Sequence, residues 1–198
     1  MHKLSLEQLT HGRLKALQNA VDLINDSECL FRKGRWARSA FLSQIAIEEL
    51  GKYLMIIGAI GNLIAGRIEW RKFWKRFVSH REKAGNIFVF DAALSQSRRD
   101  KDILKDFEKA DRDSTEFHAE KLSSLYVDFK DDQFVLPMDV VDKNTAKKAI
   151  ENAKAVLSFF EHMEKKILSK ANLCKLRAAT LDKIRDEVSK LSAKLKKV

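Results

Sequence analysis

A single proline in 198 residues, Pro137, constrains this chain more than any other feature. Proline removes a backbone donor and breaks helix interiors, and glycine weakens them. The chain has only seven glycines as well. So few breakers predict long, uninterrupted helices rather than many short strands. Hydrophobic residues make up 45% of the sequence, enough for a core and more than a disordered chain carries. The length fits one domain, so the expectation is an all-α bundle in a single domain over 1–198.

The pattern of apolar residues places the helices. Ser5 followed by Gln8 reads as a capping box, after which Leu14, Leu17, Val21, Ile24 and Leu30 recur with helical period. Gly34 is the expected stop. A second helix over about 35–65 is apolar over most of its C-terminal half and is predicted to be central. A third, over about 69–83, carries Trp70, Phe73, Trp74 and Phe77 on one side and basic residues on the other. A loop is expected over 85–91 and a sparse, peripheral helix over about 94–124. Two short β-prone runs flank Asp131 and Asp132, so a small hairpin or extended insertion is expected near 125–136, ended by Pro137. Helices over about 144–169 and 173–197 complete the chain, the last with a narrow apolar stripe on a basic background.

The longest apolar run, Tyr53 to Ala65, is 13 residues. Spanning a bilayer takes roughly 20, so no membrane partner is expected. Residues 1–10 lack the apolar run of a signal peptide, and the chain is expected in the cytoplasm. Cys29 and Cys174 lie in apolar helical patterns without metal-ligand spacing and are expected as buried free thiols. The net charge of +10 is uneven: residues 67–83 hold seven basic and two acidic residues, and 170–198 hold nine and three. Clustered positive charge suits phosphate polymers or acidic proteins, and equally a solvated surface.

Two segments hold residues able to do chemistry. In Ala46-Ile47-Glu48-Glu49-Leu50-Gly51-Lys52, adjacent carboxylates sit in an otherwise apolar helix, where a buried charge is costly. Glu48 and Lys52, four apart, predict an intrahelical ion pair, which leaves Glu49 without a partner. Gly51 in a helix interior costs roughly 1 kcal/mol relative to alanine, which predicts close approach of another helix or a ligand. In the second segment, Arg76, His80 and Lys83 are spaced to share one face of a continuous helix. A histidine titrating near neutrality beside cations that hold a phosphate is the minimum kit for metal-independent RNA cleavage. The same spacing also fits a histidine on a solvated basic helix. No metal, redox or Gly-rich phosphate motif appears, so neither a metal nor another cofactor is expected.

These residues resemble the AbiV-type branch of the HEPN superfamily. Ala40, Leu42, Ala46, Glu48, Glu49, Gly51 and Lys52 are similar to its A-x-L-x-x-x-A-x-E-E-x-G-K segment. Phe77, His80 and Lys83 resemble the F-x-x-H-x-x-K that follows. Leu125-Tyr126-Val127-Asp128 before Pro137 resembles a third block, and all three stand in the family's order. The resemblance implies a HEPN-like helical bundle, a homodimer, and an effector of antiphage abortive infection. It further implies translation shut down by metal-independent RNA cleavage, and a phage-encoded protein as trigger.

Many HEPN proteins place an arginine before the histidine with four to six residues between them; Arg76 precedes His80 with only three between, and Lys75 has four but is not arginine. The resemblance therefore implies a variant site of His80, Lys83, Arg76, Glu48, Glu49 and Lys52. Lys75, Arg71 and Arg81 would contact RNA, and Glu48 or Glu49 would orient His80 or Lys83. The alternatives are a non-catalytic module binding RNA, ribosomes or protein, and the HEPN half of a toxin–antitoxin pair.

Overall fold

The computed structural model of the chain describes residues 2–80, 82–87 and 103–166. Helix α1 (Leu6–Arg32) opens on the expected capping box: the Gln8 amide donates to Ser5 Oγ at 3.1 Å and the Ser5 amide to Gln8 Oε1 at 2.8 Å. Gly34 closes it with φ of 71°, and the Arg35 amide reaches back to the Leu30 carbonyl at 3.0 Å. A residue with a Cβ disfavours that left-handed conformation. The chain reverses there into α2 (Trp36–Ile64), and α1 and α2 pack along their lengths. After α3 (Trp70–Val78) comes a short helical stretch, α4 (82–87). Then follow α5 (Ile103–Ser123), strands β1 (Asp128–Lys130) and β2 (Gln133–Val135), the single turn α6 (Pro137–Val140), and α7 (Lys143–Lys166), which lies across α1 and α2.

The core is the three-way contact of α1, α2 and α7. Ala16, Ala20 and Ile24 meet Ala46, Leu50 and Tyr53, with Phe160 and Met163 from α7. Small residues at this seam bring the helix axes close, and two polar groups are buried with them. Ser27 Oγ sits 2.7 Å from Ser43 Oγ and donates to the Ser39 carbonyl at 2.8 Å, so these hydroxyls satisfy one another. Elsewhere along the seam, Arg13 of α1 pairs with the partly buried Glu164 of α7 at 3.1 Å, and the Tyr53 hydroxyl of α2 donates to the same carboxylate at 2.8 Å. Burial raises the pKa of Glu164 and, helped by that carboxylate, of Tyr53.

Several expectations need correction. The buried face of α1 is Leu9, Arg13, Ala16, Ala20, Ile24 and Ser27; Leu14 is exposed. Close helix approach selects small and hydrogen-bonded residues over the larger apolar ones. The helix expected over 69–83 is two: Ser79 is extended, at φ −75° and ψ 120°, and separates α3 from α4. Of the loop expected over 85–91, residues 85–87 are helical instead, and 88–91 lie outside the described residues. Cys29 is half-buried rather than fully buried. Pro137 does end the hairpin segment, as the first residue of α6, where its missing N–H is not needed. The hairpin forms as expected, with Phe129 opposite Phe134. Cys174 and the helix over 173–197 lie outside the described residues, as does the N-terminal part of the helix expected over 94–124.

Candidate functional site

Glu48 faces the interior of the protein from the middle of α2 and is 3% exposed. Its two oxygens have different partners. Oε2 lies 2.7 Å from His80 Nδ1, and Oε1 accepts from the Lys121 ammonium of α5, itself buried. The imidazole is 60% exposed, so one ring edge is held inside and the other meets solvent. An ionised carboxylate only accepts, so Nδ1 carries the proton in this pairing and the exposed Nε2 keeps its lone pair when the ring is neutral.

The backbone explains how His80 reaches Glu48. Ser79 starts a new turn: its carbonyl accepts from the Lys83 amide at 3.2 Å and its hydroxyl from the Glu82 amide at 3.3 Å. That turn seats on Gly51, one helical turn beyond Glu48. A Cβ at Gly51 would lie 1.8 Å from the Lys83 carbonyl oxygen and 2.6 Å from its carbon. The predicted close approach at Gly51 is therefore to another segment's backbone.

Around this bridge stand further charges. Lys83 is buried, and its pKa is lowered from 10.5 by that burial and then by the Lys52 charge, against the opposing pull of Glu48 and Glu49. Glu49 pairs with Lys52, whose ammonium lies 5.8 Å from the centre of the Phe77 ring. The ion pair expected between Glu48 and Lys52 is thus corrected. The i,i+3 pairing joins Glu49 to Lys52, and Glu48 turns inward to His80 and Lys121.

Arg76 stands apart from this cluster. Because the helix breaks at Ser79, Arg76 does not continue the face of His80 and Lys83. Its Nε pairs with Glu82 at 3.2 Å and its Nη2 donates to Asn86 Oδ1 at 2.9 Å. Arg71 and Lys75 are exposed on α3, while Arg81 lies outside the described residues. Among the described residues, no three of His, Cys, Asp and Glu converge as metal ligands would. Nor is any helix among them long and apolar enough to cross a membrane.

A family model described as AbiV, of the HEPN group, matches residues 8–158. The chain belongs to the AbiV family of HEPN proteins, which links it to abortive infection. The match takes in Glu48, Glu49, Gly51, Lys52, His80, Lys83 and Lys121. No curated protein and no solved structure matches the chain.

In this AbiV-family chain, Lys121 is the member of the cluster that sequence reasoning missed. It lies 73 positions from Glu48, on a helix whose apolar pattern is thin. A signal was nonetheless present. Ser114, Phe117 and Lys121 on α5, and Ser124 just past its end, fall at helical spacing, and three of the four are buried. A lysine in such a stripe calls for a buried acidic partner.

Proposed function

We propose that this AbiV-family protein is an abortive-infection effector that shuts down translation as a metal-independent endoribonuclease, with His80 as its general acid–base. The observation that carries the proposal is the pairing of His80 Nδ1 with buried Glu48 at 2.7 Å while the rest of the ring stays open to solvent. A buried carboxylate fixes the tautomer and orientation of the imidazole, leaving Nε2 for the substrate. In the reaction, Nε2 takes the proton of a ribose 2′-hydroxyl as its oxygen bonds the adjacent phosphorus. The bond to the 5′-oxygen breaks, and that oxygen leaves with the proton that Nε2 had taken up, so the imidazole ends neutral. The products are a 2′,3′-cyclic phosphate and a 5′-hydroxyl. Lys83 and Lys52 stabilise the extra negative charge on the phosphoryl oxygens. Glu49 holds Lys52, and Lys121 holds Glu48. Arg76, Arg71, Lys75 and Arg81 bind RNA outside the reacting centre. Partners under this reading are RNA, a second copy of the chain and a phage-encoded protein trigger.

Incubation of the purified protein with total RNA in EDTA, followed by mapping of RNA ends, tests this. Specific cuts ending in cyclic phosphates are expected. His80→Ala should abolish them, and Glu48→Gln should slow them by about 100-fold or more. RNA left intact with the trigger present would sink the proposal.

A second reading draws on Arg76, the nearest arginine before His80, which is engaged by Glu82 and Asn86 and lacks the superfamily's spacing. Under it, the chain is a non-catalytic module for RNA, ribosomes or protein. His80→Ala would then lower the melting temperature, whereas loss of toxicity at unchanged stability excludes this reading. A third reading, the HEPN half of a toxin–antitoxin pair, would be favoured by a neighbouring antitoxin-like gene.

A further inference from the structure

A cleft of about 460 Å³ runs between α1, α2 and α3, beside the His80 cluster. One wall is aromatic. The Phe73 and Phe77 rings stack with centres 5.3 Å apart, and Trp74 stands edge-on to Phe77 at 5.6 Å. The indole N–H of Trp74 donates to the His2 carbonyl at 2.8 Å, which fixes that ring in place. The polar residues of the cleft are Gln8, Lys15 and Asn19 on α1, all exposed to solvent, and the half-buried Glu49 and Lys52 on α2. Lys52 belongs to both places. It lies in the cleft wall by the Phe77 ring, and its charge reaches Lys83.

An aromatic-walled slot with amide and ammonium groups at its rim accepts a flat heteroaromatic ring. An opening onto cations suits a ring that carries an anion. We propose that the cleft is a nucleobase subsite, in which the base lies along Trp74 and Phe77 with its edge toward Lys15 and Asn19 while its phosphate meets Lys52 and Lys83. This inference rests on the endoribonuclease reading for its setting: it gives that site a base-binding pocket next to the reacting phosphate.

Binding of adenosine 5′-monophosphate to the full-length chain, followed by tryptophan fluorescence, tests the subsite. Inorganic phosphate and N-acetyltyrosinamide serve as separate probes. Saturable quenching by the nucleotide is expected, with none from phosphate alone. Gly12 lies in the cleft wall, and a first added carbon there would make only an ordinary 3.7 Å contact with Ile56. The rest of the side chain in Gly12→Leu would grow into the cleft and should weaken nucleotide binding about tenfold to a hundredfold. Lys15→Gln changes an exposed residue and should weaken it severalfold even if Gly12→Leu folds poorly.

No quenching by the nucleotide, or unchanged affinity in Lys15→Gln and in a folded Gly12→Leu, overturns the proposal. So does equal quenching by phosphate. Tighter binding of N-acetyltyrosinamide than of the nucleotide overturns it in favour of a pocket for a protein partner's aromatic side chain. The two proposals fail separately. RNA cleavage without nucleotide binding removes the subsite alone, and nucleotide binding without any cleavage removes the nuclease reading alone.

Discussion

At Gly51 the absence of a side chain is what allows the site to assemble, because the Lys83 carbonyl occupies the space a Cβ would take. Gly51→Ala gains roughly 1 kcal/mol of helix propensity but forces backbone apart from backbone. Overpacking of this kind typically costs about 1–3 kcal/mol. Urea denaturation should therefore register a net loss of stability, together with loss of the His80–Glu48 contact in NMR spectra. An unchanged or higher midpoint would contradict the contact. Lys83 makes a second prediction. Its pKa in the folded protein is lowered, so folding disfavours its ammonium form. Below the folded pKa this cost is fully present. It is relieved as pH rises from the folded pKa toward the unfolded value near 10.5, because in that window the unfolded chain binds the extra proton. Stability of the wild type relative to Lys83→Met should be flat at lower pH. It should then climb across that window, by less than the roughly 1.4 kcal/mol per pH unit of a full one-proton difference.

At the scale of elements, the hairpin turn is strained in a way that can be relieved. Asp131 and Asp132 both have positive φ, 49° and 60°, and they form the two-residue connection between β1 and β2. Asparagine followed by glycine is the preferred pair for such a turn. The double change Asp131→Asn, Asp132→Gly should stabilise the hairpin by about 0.5–1 kcal/mol, read as slower hydrogen exchange at Phe129 and Phe134. The hairpin was legible in the sequence because turn chemistry is local, and the same holds for the Ser5–Gln8 cap and the Gly34 stop. The break at Ser79 was not legible. Nothing in Phe77-Val78-Ser79-His80 forbids a helix, and the backbone departs from one there as α4 seats on Gly51. The same limit hid the pairing of charges. Sequence spacing gave Glu48 a partner on its own helix, yet its partners come from 32 and 73 positions away. Local periodicity identifies which residues are unusual, such as Glu48, Gly51 and His80. It does not say which way a side chain on a nearly all-apolar helix turns.

For the whole molecule, the net charge of +10 gives the proposed RNA binding a measurable signature. Each phosphate neutralised on a single strand contributes about −0.7 to the slope of log affinity against log salt. Replacing both Arg71 and Lys75, exposed on α3, with glutamine should make the slope shallower by about 1.4 in fluorescence anisotropy titrations. An unchanged slope would remove α3 from the RNA-binding surface.

The two-sided grip on Glu48 has a consequence for how the protein is made. A chain leaves the ribosome N-terminus first, so α1, α2 and then His80 emerge well before Lys121. The early hairpin of α1 and α2 can pack from local contacts, but the inward carboxylate then has only one of its two partners. The finished charge arrangement arrives only once the greater part of α5 has been synthesised. A protein proposed to attack its own cell's RNA would thus carry a delay in its topology, its site remaining incomplete while the chain is still close to the machinery that made it.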